Sequence, residues 1–171
     1  MNELEQRLQN QQDLEAIRRL KHYNYCHCVD RAVAGETSAI EETISRFTDD
    51  VVADFTGFPL AEGKEAVTEF YAQVVPSILS YSQHQVFNEV IDIDGDRATG
   101  RWYVHCPVNF TEASPLGKVA PGLVMGRYEE EYVREGGLWK WCKIVALLDV
   151  VAPGDTPWSG AVQLFTNPEG W

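Results

Sequence analysis

His84, in the stretch Tyr81–Phe87 (YSQHQVF), has the clearest capacity for proton transfer in this sequence. Histidine is the side chain whose ordinary pKa lies nearest to neutral pH, so a cavity histidine beside a carboxylate is suited to general acid or base work. The first predicted helix offers such a carboxylate at Asp30. Tyr25 precedes it by five residues, about 140° around an ideal helix axis, so the two can flank one pocket. Together these residues are suited to proton abstraction, with Tyr25 as a hydroxyl donor to a substrate oxygen.

Each of these residues also has a structural interpretation. Asp30 and Arg31 near a helix C-terminus are typical of a solvated helix end, and a helix tyrosine such as Tyr25 is commonly a core residue. A lone strand histidine is commonly hydrogen bonded for structure alone. Because sequence spacing does not bring His84 to the helix, both interpretations stay open at this point.

The net charge of the chain argues against two classes of partner. The 171 residues carry a formal charge of −12 at pH 7, and no basic stripe reverses it locally. A strongly acidic chain repels phosphate groups and anionic lipids, so we expect neither nucleic acid nor a membrane as a partner. No run approaches the roughly 18 apolar residues of a membrane span, and the polar N-terminus is unlike a signal peptide. We therefore predict a cytoplasmic protein.

The four cysteines are predicted to be reduced core residues, as in other cytosolic domains of this length. Cys26 and Cys28 flank a histidine, but structural zinc sites favour two to four intervening residues and a second pair of ligands. We therefore expect no metal site.

Apolar residues recur at spacings of three and four in the first half of the chain. This periodicity predicts helices over residues 3–34, 38–47 and 64–75. Gly35 is expected to end the first helix, and Pro76 is expected to end the third.

The second half of the chain reads as long antiparallel strands joined by glycine turns. Strands are predicted over 51–55, 83–94, 97–111, 123–134 and 138–151. Helices followed by such strands indicate one α+β domain over residues 1–171, with three N-terminal helices on one face of a curved, mostly antiparallel sheet. Its core spans about 10–150, and the irregular tail 153–171 is a candidate lid.

Alternation along the predicted strands separates an inner from an outer face. In strand 97–111 it places His105 outside. The strand with His84 is less clear, because both of its faces are half apolar, as expected where one side lines a cavity and the other packs on a partner subunit. One of these faces holds His84, Val86, Asn88 and Val90.

If the histidine face is concave, His84 and Asn88 look into a pocket together. Large apolar residues of the strands and the third helix then become candidate walls suited to a ring system, although each is equally a core residue. The pocket-lining residues predicted to contact the substrate are Phe55, Trp102, Val104 and Met125.

Four segments in order resemble the SnoaL-like (polyketide-cyclase-like) branch of the nuclear transport factor 2-like superfamily. They are DLEAIRRLKHYNYCHCVDR, FTDDVVADFTGFPLAEGKEAVTEFY, SQHQVFNEVIDIDGDRATGRWYV and GRYEEEYVREGGLWKWCKI, and the resemblance covers roughly residues 10–150. The resemblance implies a bent sheet that forms a cone closed by helices around a deep apolar pocket. It also implies a homodimer or homotrimer and no cofactor.

Within this branch the motifs look most similar to lyases of the scytalone dehydratase, bile acid 7α-dehydratase and hexachlorocyclohexane dehydrochlorinase types. Those enzymes use an aspartate late in the first helix and a histidine on the first long strand, matched by Asp30 in VDR and His84 in SQHQ. The bile acid enzyme also has a tyrosine that matches Tyr25. This chain departs from the bile acid enzyme at two positions: it has Cys106 where that enzyme has an aspartate, and Phe55 near the place of a pocket tyrosine. Cys106 is also among the predicted substrate contacts.

The resemblance implies a cofactor-independent lyase or isomerase acting on a small, largely apolar, ring-containing molecule. His84 would abstract a proton next to a carbonyl or leaving group, Asp30 would fix the tautomer of His84, and Tyr25 would assist the oxygen. Two alternatives stay open, because fold does not fix function. One is a ketosteroid-isomerase-like or cyclase-like enzyme with Asp30 as the base, and the other is a ligand-binding or accessory subunit without catalysis.

Overall fold

The first helix is continuous but changes its winding in the middle. The computed structural model describes residues 2–154, so the predicted lid lies outside the described residues from position 155 onward. Helix α1 (Glu3–Arg19) begins at a capping box formed by Asn2 and Glu5, continues through a π-helical segment (Leu20–His27), and ends as α2 (Cys28–Val33). Gly35, with φ of 102°, follows the helix end, as predicted.

The second and third helices are shorter units whose limits differ from the predicted ones. A 3₁₀ turn (Thr37–Ala39) leads into α3 (Ile40–Ile44), and Phe47 belongs to the first strand instead of the helix. The third unit consists of α4 (Gly63–Glu69), a π-helical segment (Phe70–Val74) and α5 (Val75–Ile78). Pro76 does not end it, because proline is tolerated in the first turn of a helix, where its missing N–H is not needed.

Seven strands form one mixed, curved sheet. They are β1 (Phe47–Phe55), β2 (Ala61–Glu62), β3 (Leu79–Ser82), β4 (Gln85–Asp94), β5 (Arg97–Phe110), β6 (Ala120–Glu135) and β7 (Leu138–Pro153). The strand order is β2-β1-β7-β6-β5-β3, and β4 also pairs with β5. Only the β1–β7 pair among these described strands is parallel. The predicted α+β cone is confirmed.

Both predicted glycine turns join long antiparallel strands. Gly95, with φ of 61°, lies between β4 and β5, and Gly136, with φ of 59°, lies between β6 and β7. A left-handed conformation is accessible to glycine at little steric cost, which explains why the turns form at these positions.

A β-bulge at Asn88 reverses the alternation of β4. The pairing with β5 shifts by one residue between Phe87 and Val90, and Asn88 adopts a left-handed φ of 54°. Val86 packs against the core, whereas Val90 is 58% exposed and Asn88 is also exposed. The prediction of one face shared from His84 to Val90 is therefore wrong, and the bulge explains why both faces looked mixed.

The core lies between the helices and the concave face of the sheet. It includes Trp102, Trp141 and Phe47, all without exposed surface. On the convex face, Phe87 and Tyr103 are exposed and their rings lie 6.3 Å apart. The homo-oligomer expected from the sequence stays a prediction. Among residues 2–154, no helix combines the length and the apolar character needed to span a bilayer.

Candidate active site

His84 and Asp30 are in direct contact although they are 54 positions apart in the chain. His84 Nδ1 lies 2.6 Å from Asp30 Oδ1, and the His84 backbone N–H donates to Asp30 Oδ2 at 2.9 Å. The Ser82 hydroxyl donates to Oδ1 at 2.6 Å. The carboxylate therefore fixes the ring through Nδ1 and leaves Nε2 as the nitrogen that can meet a ligand.

An interruption between two strands explains why Asp30 can reach the main chain of His84. Strand β3 ends at Ser82 and β4 begins at Gln85, so Gln83 and His84 fall between two strands that pair with the same neighbour, β5. A buried backbone N–H outside a strand ladder needs another acceptor, and Asp30 on α2 supplies it. The predicted strand 83–94 thus begins two residues later than expected.

Three tyrosines lie beside this pair. The Tyr71 hydroxyl donates to Tyr25 at 3.0 Å, and the hydroxyl oxygens of Tyr25 and Tyr128 are 3.5 Å apart. The Tyr25 ring meets the His84 ring at right angles, with 5.8 Å between the centroids. Burial raises the pKa of all three phenols well above its ordinary value. They are therefore neutral at physiological pH and can donate hydrogen bonds.

A second ion pair lies behind the tyrosines. Lys21 Nζ is 2.5 Å from Glu130 Oε1, and neither side chain has exposed surface. The ammonium group also lies over the rings of Tyr25 and Tyr128, 3.8 Å and 3.4 Å from their centroids. Glu130 Oε2 accepts hydrogen bonds from the Trp141 indole N–H at 3.0 Å and from the hydroxyl of Tyr132, which lies on β6 like Glu130. This pair is closed on all sides by protein groups.

The environment of His84 favours its protonated form. Burial lowers the pKa of this imidazole, but interactions with Cys106 and with the Asp30 carboxylate outweigh burial and raise the pKa to about 10. His84 is therefore mostly protonated at neutral pH, and the neutral fraction that can act as a base increases as the pH rises toward 10.

His84 and the tyrosines border an apolar cavity of about 100 Å³. Apolar side chains from the third helix and the sheet form most of its wall, among them Phe55, Phe70, Val104 and Leu148. Among residues 2–154, no three side chains of His, Cys, Asp or Glu are grouped to hold a metal ion.

The structure brings together six of the nine residues predicted to form the site. Tyr25, His84, Phe55, Val104 and Cys106 line the cavity, and Asp30 lies behind His84 as its hydrogen-bond partner.

The other three predicted contacts lie elsewhere. Trp102 is fully buried in the core, where its indole N–H donates to Tyr132 at 3.0 Å. Met125 pairs across strands with the outward-facing His105, and Asn88 is exposed at the bulge. The bulge at Asn88 turned this residue to the exposed face, and Trp102 has the predicted inward orientation but does not line the cavity.

Several residues of the site are not among those predicted from the sequence. Tyr128, Glu130 and Tyr132 alternate along β6 and share its inner face, and this alternation is a usable signal for the one internal residue of the run Glu129–Glu131. Tyr71 carries no comparable signal in the sequence. Lys21 carries none either, because a lysine is rarely buried and the sequence does not show its partner.

The geometry defines a class: an α+β cone with an Asp–His pair and three tyrosines at the wall of an apolar cavity. The sequence profile of the SnoaL-like domain matches residues 9–145. The chain therefore belongs to the SnoaL-like domain family, which confirms the resemblance.

Solved structures with the same fold include two with informative names. A hexachlorocyclohexane dehydrochlorinase, type 3, from Novosphingobium barchaimii is 22% identical, with a TM-score of 0.72 over 86% of this chain and 94% of that chain. A protein assigned as a scytalone dehydratase from Novosphingobium aromaticivorans is 20% identical, with a TM-score of 0.69 over 89% of this chain and 93% of that chain. At these identities the similarity establishes the fold.

Proposed function

We propose that this protein is a cofactor-independent lyase or isomerase that moves a proton at a carbon next to a carbonyl or a leaving group. The observation that carries the proposal is the 2.6 Å contact of His84 with Asp30 at the wall of an apolar cavity. A base oriented by a carboxylate at the wall of an apolar cavity is an arrangement suited to proton abstraction. The names of the similar structures, a dehydrochlorinase and an assigned dehydratase, agree with this class.

Each side chain of the cluster has a role in the proposed reaction. Neutral His84 takes the proton through Nε2, and Asp30 stabilises the imidazolium that forms. The Tyr25 hydroxyl, supported by the hydroxyl of Tyr71, donates to the oxygen that leaves or becomes an enolate. The product is an alkene or a compound with a shifted double bond.

His84 is better suited than Asp30 to be the base. Asp30 Oδ1 already accepts from the His84 ring and from Ser82, and Oδ2 accepts from the His84 amide. A carboxylate that is engaged on both oxygens is a weaker proton acceptor than one open to the substrate. This observation disfavours the alternative in which Asp30 abstracts the proton.

The cavity size limits the substrate. An engineered protein cavity of about 150 Å³ holds benzene, and the volume here is about 100 Å³. A small ring would therefore enter only with displacement of wall residues such as Phe58 and Phe70, which are partly buried. We propose a small, largely apolar, ring-containing carbonyl compound or halide.

Hydrogen exchange at carbon tests the proposal and does not require the product to be identified. Purified protein is incubated in D₂O with a panel of small cyclic ketones and enones, and nuclear magnetic resonance follows deuterium entry next to the carbonyl. We expect catalysed exchange with some members of the panel. His84→Gln should reduce the rate by about 10²–10⁴-fold, the usual contribution of a general base.

His105→Gln is the matched control, because it makes the same substitution at a histidine on the outer face that is bonded to Gln85. It should leave exchange unchanged. Near-normal exchange in His84→Gln would remove His84 as the base and return the role to Asp30. If the wild-type protein binds panel members without catalysing exchange, the chain is a binding module.

A further inference from the structure

Cys106 on β5 lies at the register position that faces His84 in the gap between β3 and β4. Strands β3 and β4 keep one register along β5 across the interruption, with the pairs Ser82–Val108 and Gln85–His105. Continued across the gap between β3 and β4, the same register places His84 opposite Cys106. Both side chains line the cavity, and Cys106 is one of the groups that raise the pKa of His84.

These positions complete a constellation of three groups. A thiol stands beside an imidazole whose Nδ1 is held by Asp30 at 2.6 Å, and Nε2 is the nitrogen left to exchange a proton with the sulfur. A nucleophile, a base and a group that orients the base are the requirements for an activated cysteine. We propose that Cys106 is a nucleophilic thiol that adds to small α,β-unsaturated carbonyl compounds, with His84 as its base.

The other three thiols lack this arrangement. Cys26 is buried, and burial raises the pKa of its thiol to about 12. Cys28 is also buried, and Cys142 is partly exposed on β7; burial raises the pKa of both thiols. Since only a thiolate is a strong nucleophile, none of these three is expected to react as fast at neutral pH.

The addition balances without a second reactant. In the molecules whose His84 is neutral, the thiol proton passes to Nε2 of His84, and the sulfur forms a bond to the β-carbon of the unsaturated compound. The electron pair of the double bond moves through the α-carbon to the carbonyl oxygen, where a hydroxyl of Tyr25 or Tyr128 can donate to the enolate. The proton on His84 then returns to the α-carbon, and the product is a thioether.

This reactivity is separate from the proposed elimination or isomerisation. It requires only that an electron-poor alkene fits the cavity of about 100 Å³. The absence of catalysed hydrogen exchange would therefore not contradict the thiol addition, and the absence of thiol addition would not contradict the proposed lyase or isomerase activity.

Methyl vinyl ketone, which has five non-hydrogen atoms, is the probe. The folded protein is treated at neutral pH, and peptide mass spectrometry measures the rate of adduct formation at each cysteine. We expect Cys106 to react first, although Cys142 is the more exposed. A maleimide attached to a long polyethylene glycol chain, too large for the cavity, should reverse this order.

Two variants test the role of His84 as base. His84→Gln should slow the Cys106 reaction on the order of tenfold or more, and Asp30→Asn should slow it in the same direction. His105→Gln should leave it unchanged, while the Cys142 rate in every variant serves as the internal reference. Cys26 and Cys28 are buried, so reaction at either would show that the variant has partly unfolded. The proposal would then be judged from the order in which the cysteines of the wild-type protein react.

The proposal is overturned if Cys106 reacts no faster than Cys142 in the wild-type protein. It is also overturned if Cys106 in folded His84→Gln protein reacts at the wild-type rate.

Discussion

Two ion pairs begin on the same helical unit and differ in what surrounds them. Lys21 and Glu130 have no exposed surface, and the carboxylate accepts from protein donors on both oxygens. Asp30 and His84 retain 21% and 11% exposure of their side chains, and His84 borders a cavity. Tyr25 lies between the pairs, over Lys21 on one side and against His84 on the other.

The difference separates a structural ion pair from a candidate catalytic one. In the closed pair both carboxylate oxygens and the ammonium group contact only protein groups, so the two charges hold the core in one arrangement. In the open pair one imidazole nitrogen faces a space that a substrate can occupy. Burial and hydrogen bonding alone would therefore not identify the reactive pair; the cavity does.

The largest effect is expected from breaking the closed pair. Glu130→Gln leaves the Lys21 charge buried without its counterion, and such a loss lowers the free energy of unfolding by about 3–5 kcal/mol. Urea denaturation measures the change. Asp30→Asn is the comparison and should lower stability less, because its site is partly exposed. Equal losses in the two variants would contradict the distinction between the pairs.

The pH dependence of hydrogen exchange tests the open pair. Since the pKa of His84 is raised to about 10, the fraction of neutral base, and with it the rate, should rise about tenfold per pH unit from pH 7 and level off near pH 10. Because the Asp30 carboxylate contributes to this rise in pKa, the plateau in Asp30→Asn should begin at lower pH. A wild-type rate that falls as pH rises would instead assign His84 the role of an acid.

The same pKa predicts a change in stability. His84 has a folded-state pKa of about 10 against an ordinary value of 6.5, so its protonation stabilises the fold fully below about pH 6.5, and this contribution disappears as pH rises through about 10. The difference in unfolding free energy between the wild-type protein and His84→Gln should therefore shrink across this range. A difference that grows with pH would show that the neutral ring is the form stabilised by folding.

The smallest effect is expected at Tyr25, the residue that lies between the two ion pairs. Tyr71→Phe removes the donor to Tyr25, and the loss of one hydrogen bond lowers stability by about 1 kcal/mol. Tyr81→Phe removes a hydroxyl from a ring that is 45% exposed and should leave stability within about 0.5 kcal/mol of the wild-type value. Thermal or urea unfolding measures both.

Local chemistry made much of the fold predictable. Glycine turns at Gly95 and Gly136 set two hairpins, and alternation correctly placed His105 outside, because these signals act over a few residues. The limits of elements at Phe47 and Pro76 were wrong, because the long-range pairing of β1 and the tolerance of proline in a first helical turn are not visible in periodicity.

The sequence predicted those site residues that residue type and motif identify. It did not predict the position of a residue that depends on a one-residue shift in strand pairing. The match to the lyase motifs selected Asp30 and His84, which are in contact. The bulge at Asn88 moved that residue out of the predicted pocket. The angle predicted between Tyr25 and Asp30 assumed an α-helix, but Tyr25 lies in a π-helical segment with a different repeat.

His84 holds both oxygens of one carboxylate, one through its backbone amide at 2.9 Å and the other through its ring at 2.6 Å. In spectroscopic terms, this residue is a built-in reporter. A proton shared with a carboxylate resonates at unusually low field, because charge-assisted hydrogen bonds are short and strongly polarised. The ring nitrogens of His84 would report the protonation of the ring, and the proton on Nδ1 would report its hydrogen bond to Asp30. One labelled histidine would then describe the contact with no substrate present.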